Sequence, residues 1–151
     1  MRSAAATALL AFAAAVHADP YEADPDLATQ DADYAAGKRA VDAKDWASAV
    51  ERFKRAAVRH PENADVQNFI GYSYRNLKNY ELAFTHYKRA IELDPRHRGA
   101  HEYIGETYLL VGDVAGAERH LQALREICLL GCEELKDLEA AIAKHRGAAS
   151  R

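Results

Sequence analysis

Residues 64–95, ADVQNFIGYSYRNLKNYELAFTHYKRAIELDP, decide the fold. Gly71, Ala83 and Pro95 punctuate this stretch at steps of twelve. Thirty-four residues upstream stand Gly37, Ala49 and Pro61, and thirty-four downstream stand Gly105 and Ala117. A fixed period of that length predicts stacked helical hairpins. In Gln67-x2-Ile70-Gly71-x2-Tyr74 the separations of three, four and seven put the four residues on one helical face. Gly71, lacking a Cβ, lets the partner helix come close, and Ala83 does the same from the other side. Tyr87 and Ala90 continue the buried stripe of the second helix. Lys78-Asn79 supplies a short polar turn, and Pro95 closes the hairpin because it cannot continue a helix. One hairpin cannot bury both its apolar faces, so it needs neighbours.

Carried along the chain, the period predicts repeats over about residues 30–63, 64–97 and 98–131. Their helices are expected near 31–43 and 46–58, 65–77 and 80–93, and 99–111 and 114–128. Trp46, Phe53 and Ala56 are the packing residues of repeat one. Its first helix is thin, with Asp33, Ala36 and Ala40 where larger residues would serve. In repeat three Leu129 replaces the proline. A seventh helix is predicted over 133–145, with Leu135, Leu138 and Ile142 on one stripe. Glu133 and Glu134 suit its first turn, Lys144, His145 and Arg146 its last, and Gly147 its end, with 147–151 fraying.

The recurring Gly, Ala, Tyr and Pro positions resemble the tetratricopeptide-repeat (TPR) family. The resemblance implies an all-α, right-handed α-solenoid of three helix-turn-helix repeats with a C-terminal capping helix, over residues 30–146. It also implies a concave groove, lined by the first helices, in which peptides or protein partners lie. Mapped through the period, the groove positions are Tyr34 and Lys38 in repeat one. In repeat two they are Asp65, Asn68, Tyr72 and Arg75, and in repeat three Glu102, Glu106 and Leu109. Tyrosine rings bury area at little entropy cost, and an Asn amide bonds to peptide backbone. Lys38 and Arg75 suit a carboxylate, or else pair with Glu102 or Glu106 across adjacent helices. The chaperone-type carboxylate clamp of the family falls here on Tyr34, Lys38, Phe69, Gly99 and Tyr103. None matches, so that mode of binding is not expected.

The totals suit one domain: 151 residues, 49% hydrophobic, 28% charged, with a formal charge of −3. That balance is no basic footprint for nucleic acid. Residues 1–18 carry Arg2, an apolar run from Ala4 to Val16 and a small-x-small site at Val16-His17-Ala18, the pattern of a secretory signal peptide. Its removal leaves 19 Lys+Arg (20 less Arg2) against 23 Asp+Glu, a charge of −4. The chain is thus expected to be exported, to a bacterial periplasm, with no membrane anchor after cleavage. Residues 19–29, with Pro20 and Pro25 among acids, read as a flexible acidic lead-in.

Cys128 and Cys132, four apart around Gly131, are expected to form a disulfide in an oxidising compartment. The competing reading is a copper(I) or redox pair. The surrounding segment, residues 125–135, resembles the ends of other small exported bacterial TPR proteins, which brings no reaction with it. His97-x3-His101 has helical metal-pair spacing, yet His101 falls at the packing position of Gln67 and His97 at a hairpin junction. No phosphate-cradling loop, Gly-x-Ser-x-Gly or His-Glu-x2-His occurs, so no enzyme and no cofactor are expected. Three classes remain: a scaffold binding a protein or peptide partner, a thiol-based metal or redox protein, and a homo-oligomer associating through its thin first repeat.

Overall fold

The computed structural model describes residue 27 and residues 30–149, so the expected signal peptide and all but Leu27 of the expected lead-in lie outside the described residues. The elements are α1 (Ala32–Asp42), α2 (Trp46–Arg59), α3 (Ala64–Asn76), α4 (Tyr80–Leu93), α5 (Arg98–Leu110), α6 (Val114–Ile127) and α7 (Glu133–Ala149). Consecutive helices pack as antiparallel hairpins, each hairpin lies on the next, and α7 rests on both α5 and α6. Among the described residues no helix is long and apolar enough to cross a membrane.

The turns inside the hairpins repeat the period too. Lys44, Lys78 and Gly112, thirty-four apart, adopt left-handed backbone at φ 58°, 62° and 80°. The next residue in each case caps the second helix: Asp45, Asn79 and Asp113 accept from the N–H of Ser48, Leu82 and Gly116 at 3.1, 3.2 and 2.8 Å. Such a cap is worth about 1 kcal/mol and fixes where the helix starts.

Close approach at the period glycines sets the hairpin spacing. A Cβ on Gly37 would lie 2.7 Å from the Phe53 ring, and one on Gly71 2.7 Å from the Tyr87 ring. Gly105 departs from this pattern: its nearest neighbour is Leu138 of α7, 2.6 Å from where a Cβ would stand. The residue of repeat three equivalent to Phe53 and Tyr87 is the shorter Leu121. The capping helix fills the space that an aromatic ring takes in the other two repeats.

Three cores follow along the stack. Leu27, Tyr34, Phe53, Val66 and Ile70 form the first, Ala83, Tyr87 and Ile104 the second, and Leu121, Leu124, Leu138 and Ile142 the third. Leu27, within the expected lead-in, is buried. Trp46 is only half-buried, so it is less of a core residue than the pattern suggests.

The thin α1 is held by charge. Asp31 caps it, accepting from the N–H of Asp33 and Tyr34 at 2.9 Å, while Arg59 and the His60 ring hold the same carboxylate at 2.8 and 2.9 Å. Asp33 accepts from Arg55, Arg59 and Arg52 at 3.0, 2.9 and 3.1 Å. Arg59 above all, against the opposing effect of burial, holds Asp31 well below the usual carboxylate range. The arginines, Arg55 first, lower Asp33 to about 2. Three arginines of α2 thus anchor a helix that has little apolar surface.

At the other end the Cys128 and Cys132 sulfurs are bonded, with Cα atoms 5.7 Å apart and Gly131 at φ 86° between them. The bridge fixes the turn from α6 into α7. α7 runs on to Ala149, past the expected stop at Gly147. Gly147 has nothing within 4 Å of a would-be Cβ, and one exposed helical glycine costs only about 1 kcal/mol.

Candidate functional site

The first helices α1, α3 and α5, with α7 in the place of a fourth, present one face. On α3 the steps from Asp65 to Asn68, Tyr72 and Arg75 are three, four and three, which keeps all four on a single stripe. A row of half-exposed rings crosses this face. Trp46 meets Tyr72 edge-on at 5.7 Å between centroids, and Tyr72 meets Tyr103 at 4.9 Å. The Arg75 guanidinium lies 5.1 Å from the Tyr72 ring and 5.3 Å from the Tyr103 ring, and it is ion-paired to Glu106. Lys38 sits apart, its Nζ 4.1 Å from the Phe69 centroid.

The expected groove residues divide by burial. Tyr72, Arg75 and Glu106 come together as described. Lys38 and Arg75 do not converge on a common carboxylate, because Arg75 is committed to Glu106 and Lys38 to a ring. Tyr34 is corrected from groove to core: it is 2% exposed, edge-on to Phe53 at 5.6 Å and Phe69 at 6.0 Å. The small residues Ala35, Ala36 and Ala40 leave α1 short of bulk, and the Tyr34 ring fills the room. Leu109 is also buried, in the third core. Asp65 takes a hydrogen bond from His97: Nδ1 of that ring accepts the Ala100 N–H, so Nε2 carries the proton and donates to Oδ1 at 3.1 Å. Trp46, Tyr103, Glu134 and Asp137 were not singled out for this face. The pattern assigns Trp46 to packing, Tyr103 shows in sequence only as a ring off the packing stripe, and the two acids depend on where α7 docks.

Asn68 is 3% exposed, and its Oδ1 is buried with no hydrogen-bond partner among the described residues. Glu102, thirty-four residues on, is 9% exposed. Burial first, then the charges of Glu106, Asp137 and Glu134, push its carboxyl up to about 8, with Arg75 pulling the other way. Beyond these groups, toward the C-terminal ends of α3, α5 and α7, opens a cleft of about 610 Å³. Arg75, Tyr80, Leu109, Leu110, Ala141 and Lys144 line it, which makes it apolar in the middle and cationic at the rim.

The histidines pair with protein groups. His101 Nε2 donates to the Pro95 carbonyl at 3.1 Å, leaving Nδ1 to accept from His120 Nδ1 at 3.0 Å. Burial, and then His101, lower His120 to about 4, and the ring stacks on Tyr108. His97 and His101 therefore use their ring nitrogens on different partners. The bonded sulfurs of Cys128 and Cys132 hold no thiolate for copper in this form.

Hairpins in register, with an aromatic and charged face along their first helices, define a helical-repeat scaffold. Residues 34–96 match the tetratricopeptide repeat family. The chain is 34% identical over 64 residues to Protein O-mannosyl-transferase TMTC3 of Homo sapiens and, equally, to that of Mus musculus. Those matches cover 42% of this chain, which spans 7% of the length of either relative. Among solved structures it is similar to the TPR2B domain of yeast Sti1, taken from a pHsp70 complex: TM-score 0.71, 21% identity, 77% of this chain and 94% of the other. The fold is the right-handed tetratricopeptide-repeat solenoid, three repeats with a capping helix.

Proposed function

We propose that this chain is a non-catalytic scaffold that binds a segment of a partner protein along its first-helix face, and that it works outside the cytoplasm of a bacterium. The observation that carries the binding reading is the half-exposed ring row Trp46, Tyr72 and Tyr103, running beside the 610 Å³ cleft. Rings held rigid by their neighbours give contact area at little entropy cost, and a cleft of this volume takes one or two apolar side chains. Export rests on the residue pattern of 1–18, and the Cys128–Cys132 bridge suits an oxidising compartment. No transferase activity is carried over from TMTC3.

The test is a photo-crosslinking residue placed at Tyr72 in one strain and at exposed Thr85 on α4 in another. A crosslinked protein seen from position 72, absent from 85 and lost on adding Tyr103→Ala, supports the groove. The same product from both positions, or from 85 alone, assigns binding to another face. Fractionation of the tagged chain checks the compartment, with recovery in the cytoplasm counting against export.

A further inference from the structure

The acceptor-rich end of the face narrows the choice of partner, an inference that rests on the groove reading above. Glu102 makes no hydrogen bond or ion pair with any described residue, although it is nine-tenths buried. The charges around it are Glu106 of its own helix, Glu134 and Asp137 of α7, and Arg75 of α3. The single cation of the set, Arg75, is already bound to Glu106 and wedged against two rings. Asn68 stands at the equivalent position one repeat earlier, on the stripe that holds Tyr72 and Arg75, and its buried Oδ1 also lacks a donor among the described residues. Glu102 is thus an acid on this face with no cation of its own among the described residues. Burying acceptors without donors lowers stability, and a ligand that supplies donors recovers the loss.

We propose that the face recognises its partner through a basic side chain, a lysine ammonium or an arginine guanidinium, seated against Glu102, with the charges of Glu134 and Asp137 adding their attraction from α7. The chemistry favours an organic cation on a chain over a metal ion. Among the described residues no three His, Cys, Asp or Glu side chains converge closely enough to hold a metal. The half-exposed Tyr103 ring, next to Glu102 in sequence, offers a cation a face beside the carboxylate. The binding polarity is the reverse of a carboxylate clamp: donors come from the ligand and acceptors from the groove. Lys78 and Lys144 rim the cleft at the far end, so a basic residue is repelled there and the segment is oriented.

The test pans a random peptide library displayed on phage against the full chain, its Glu102→Gln variant and its Tyr72→Ala variant, each checked for folding by circular dichroism. The wild type is expected to enrich peptides with lysine or arginine at one fixed position. A synthetic copy of the best peptide should lose about tenfold or more in affinity when that residue becomes norleucine. Glu102→Gln should cost a similar factor against the original peptide and add nothing against the norleucine peptide, as a double-mutant cycle requires for a direct pair. Peptides that need Tyr72 but carry no shared basic residue, or losses that multiply, overturn this inference and leave the groove standing. If nothing enriched depends on Tyr72, both readings fall.

Discussion

Glu102→Gln has a consequence for stability that can be measured without any partner. The carboxyl is pushed up to about 8 from an ordinary 4.5, by burial and by the charges of Glu106, Asp137 and Glu134. Between those two values the folded chain keeps a proton that the unfolded chain has released. Stability therefore falls as pH rises through that window and levels off above it. Each pK unit corresponds to about 1.36 kcal/mol, so the rise from 4.5 to about 8 sets a ceiling of about 5 kcal/mol. Water reaching the open side of the groove screens part of this, and about 2–3 kcal/mol is expected. His86, His101 and His120, lowered chiefly by burial, act oppositely at acid pH, but they do so in both proteins and cancel in the difference. The assay is urea unfolding followed by far-UV circular dichroism at pH 5 and pH 9. Near pH 5, where the folded wild-type side chain is neutral and the unfolded one has just begun to ionise, the two proteins should agree within about 1 kcal/mol. At pH 9 the Gln variant should be the more stable by about 2–3 kcal/mol. A gap that does not widen between the two pH values would refute an unpaired acid at this position.

The remaining predictions concern packing, pairing and the bridge. Gly71→Ala gains about 1 kcal/mol of helix propensity, but it drives a Cβ to 2.7 Å from the wholly buried Tyr87 ring. Overpacking of that kind costs about 1–3 kcal/mol, so the net should be a loss of up to about 2 kcal/mol in urea unfolding. Gly147→Ala, with open space around it, should be neutral or stabilising by up to about 1 kcal/mol in the same assay. Arg75→Ala strips Glu106 of its partner and opens the Tyr72–Tyr103 contact, and should cost about 2–4 kcal/mol. Replacing Cys128 and Cys132 with serine should cost about 2 kcal/mol or less, because the loop is short. Hydrogen exchange should speed up first in α7, whose approach the bridge fixes.

The repeat was legible because packing imposes it residue by residue. Gly37 and Gly71 must be small where Phe53 and Tyr87 press on them, so the spacing in sequence is the spacing in space. The same period ran through the turn caps Asp45, Asn79 and Asp113, a signal as regular as the glycines and open to anyone counting acids and amides at helix starts. Depth was not legible. A helical period says in which direction Tyr34 points but not whether its neighbours leave it exposed. Only the alanines of α1 and the ring of Phe69 put it inside. Asp33, read as a weak place in a thin helix, proved to be the anchor for three arginines nineteen to twenty-six residues away. Glu102 stood on the groove face as expected. Its isolation could not be foreseen, because the acids around it come from the docking of α7 and its potential cation is held by Glu106.

Binding through this face requires that a partner segment lie along α1, α3, α5 and α7. It is tested most directly by amide chemical-shift mapping of the labelled full chain on titration with a peptide enriched by the panning. Shifts that cluster at Asn68, Tyr72, Glu102, Tyr103 and Asp137 are the predicted result. Shifts that cluster instead at exposed Thr85, Arg89 and Gln122 of α4 and α6, with the groove unmoved, would contradict it.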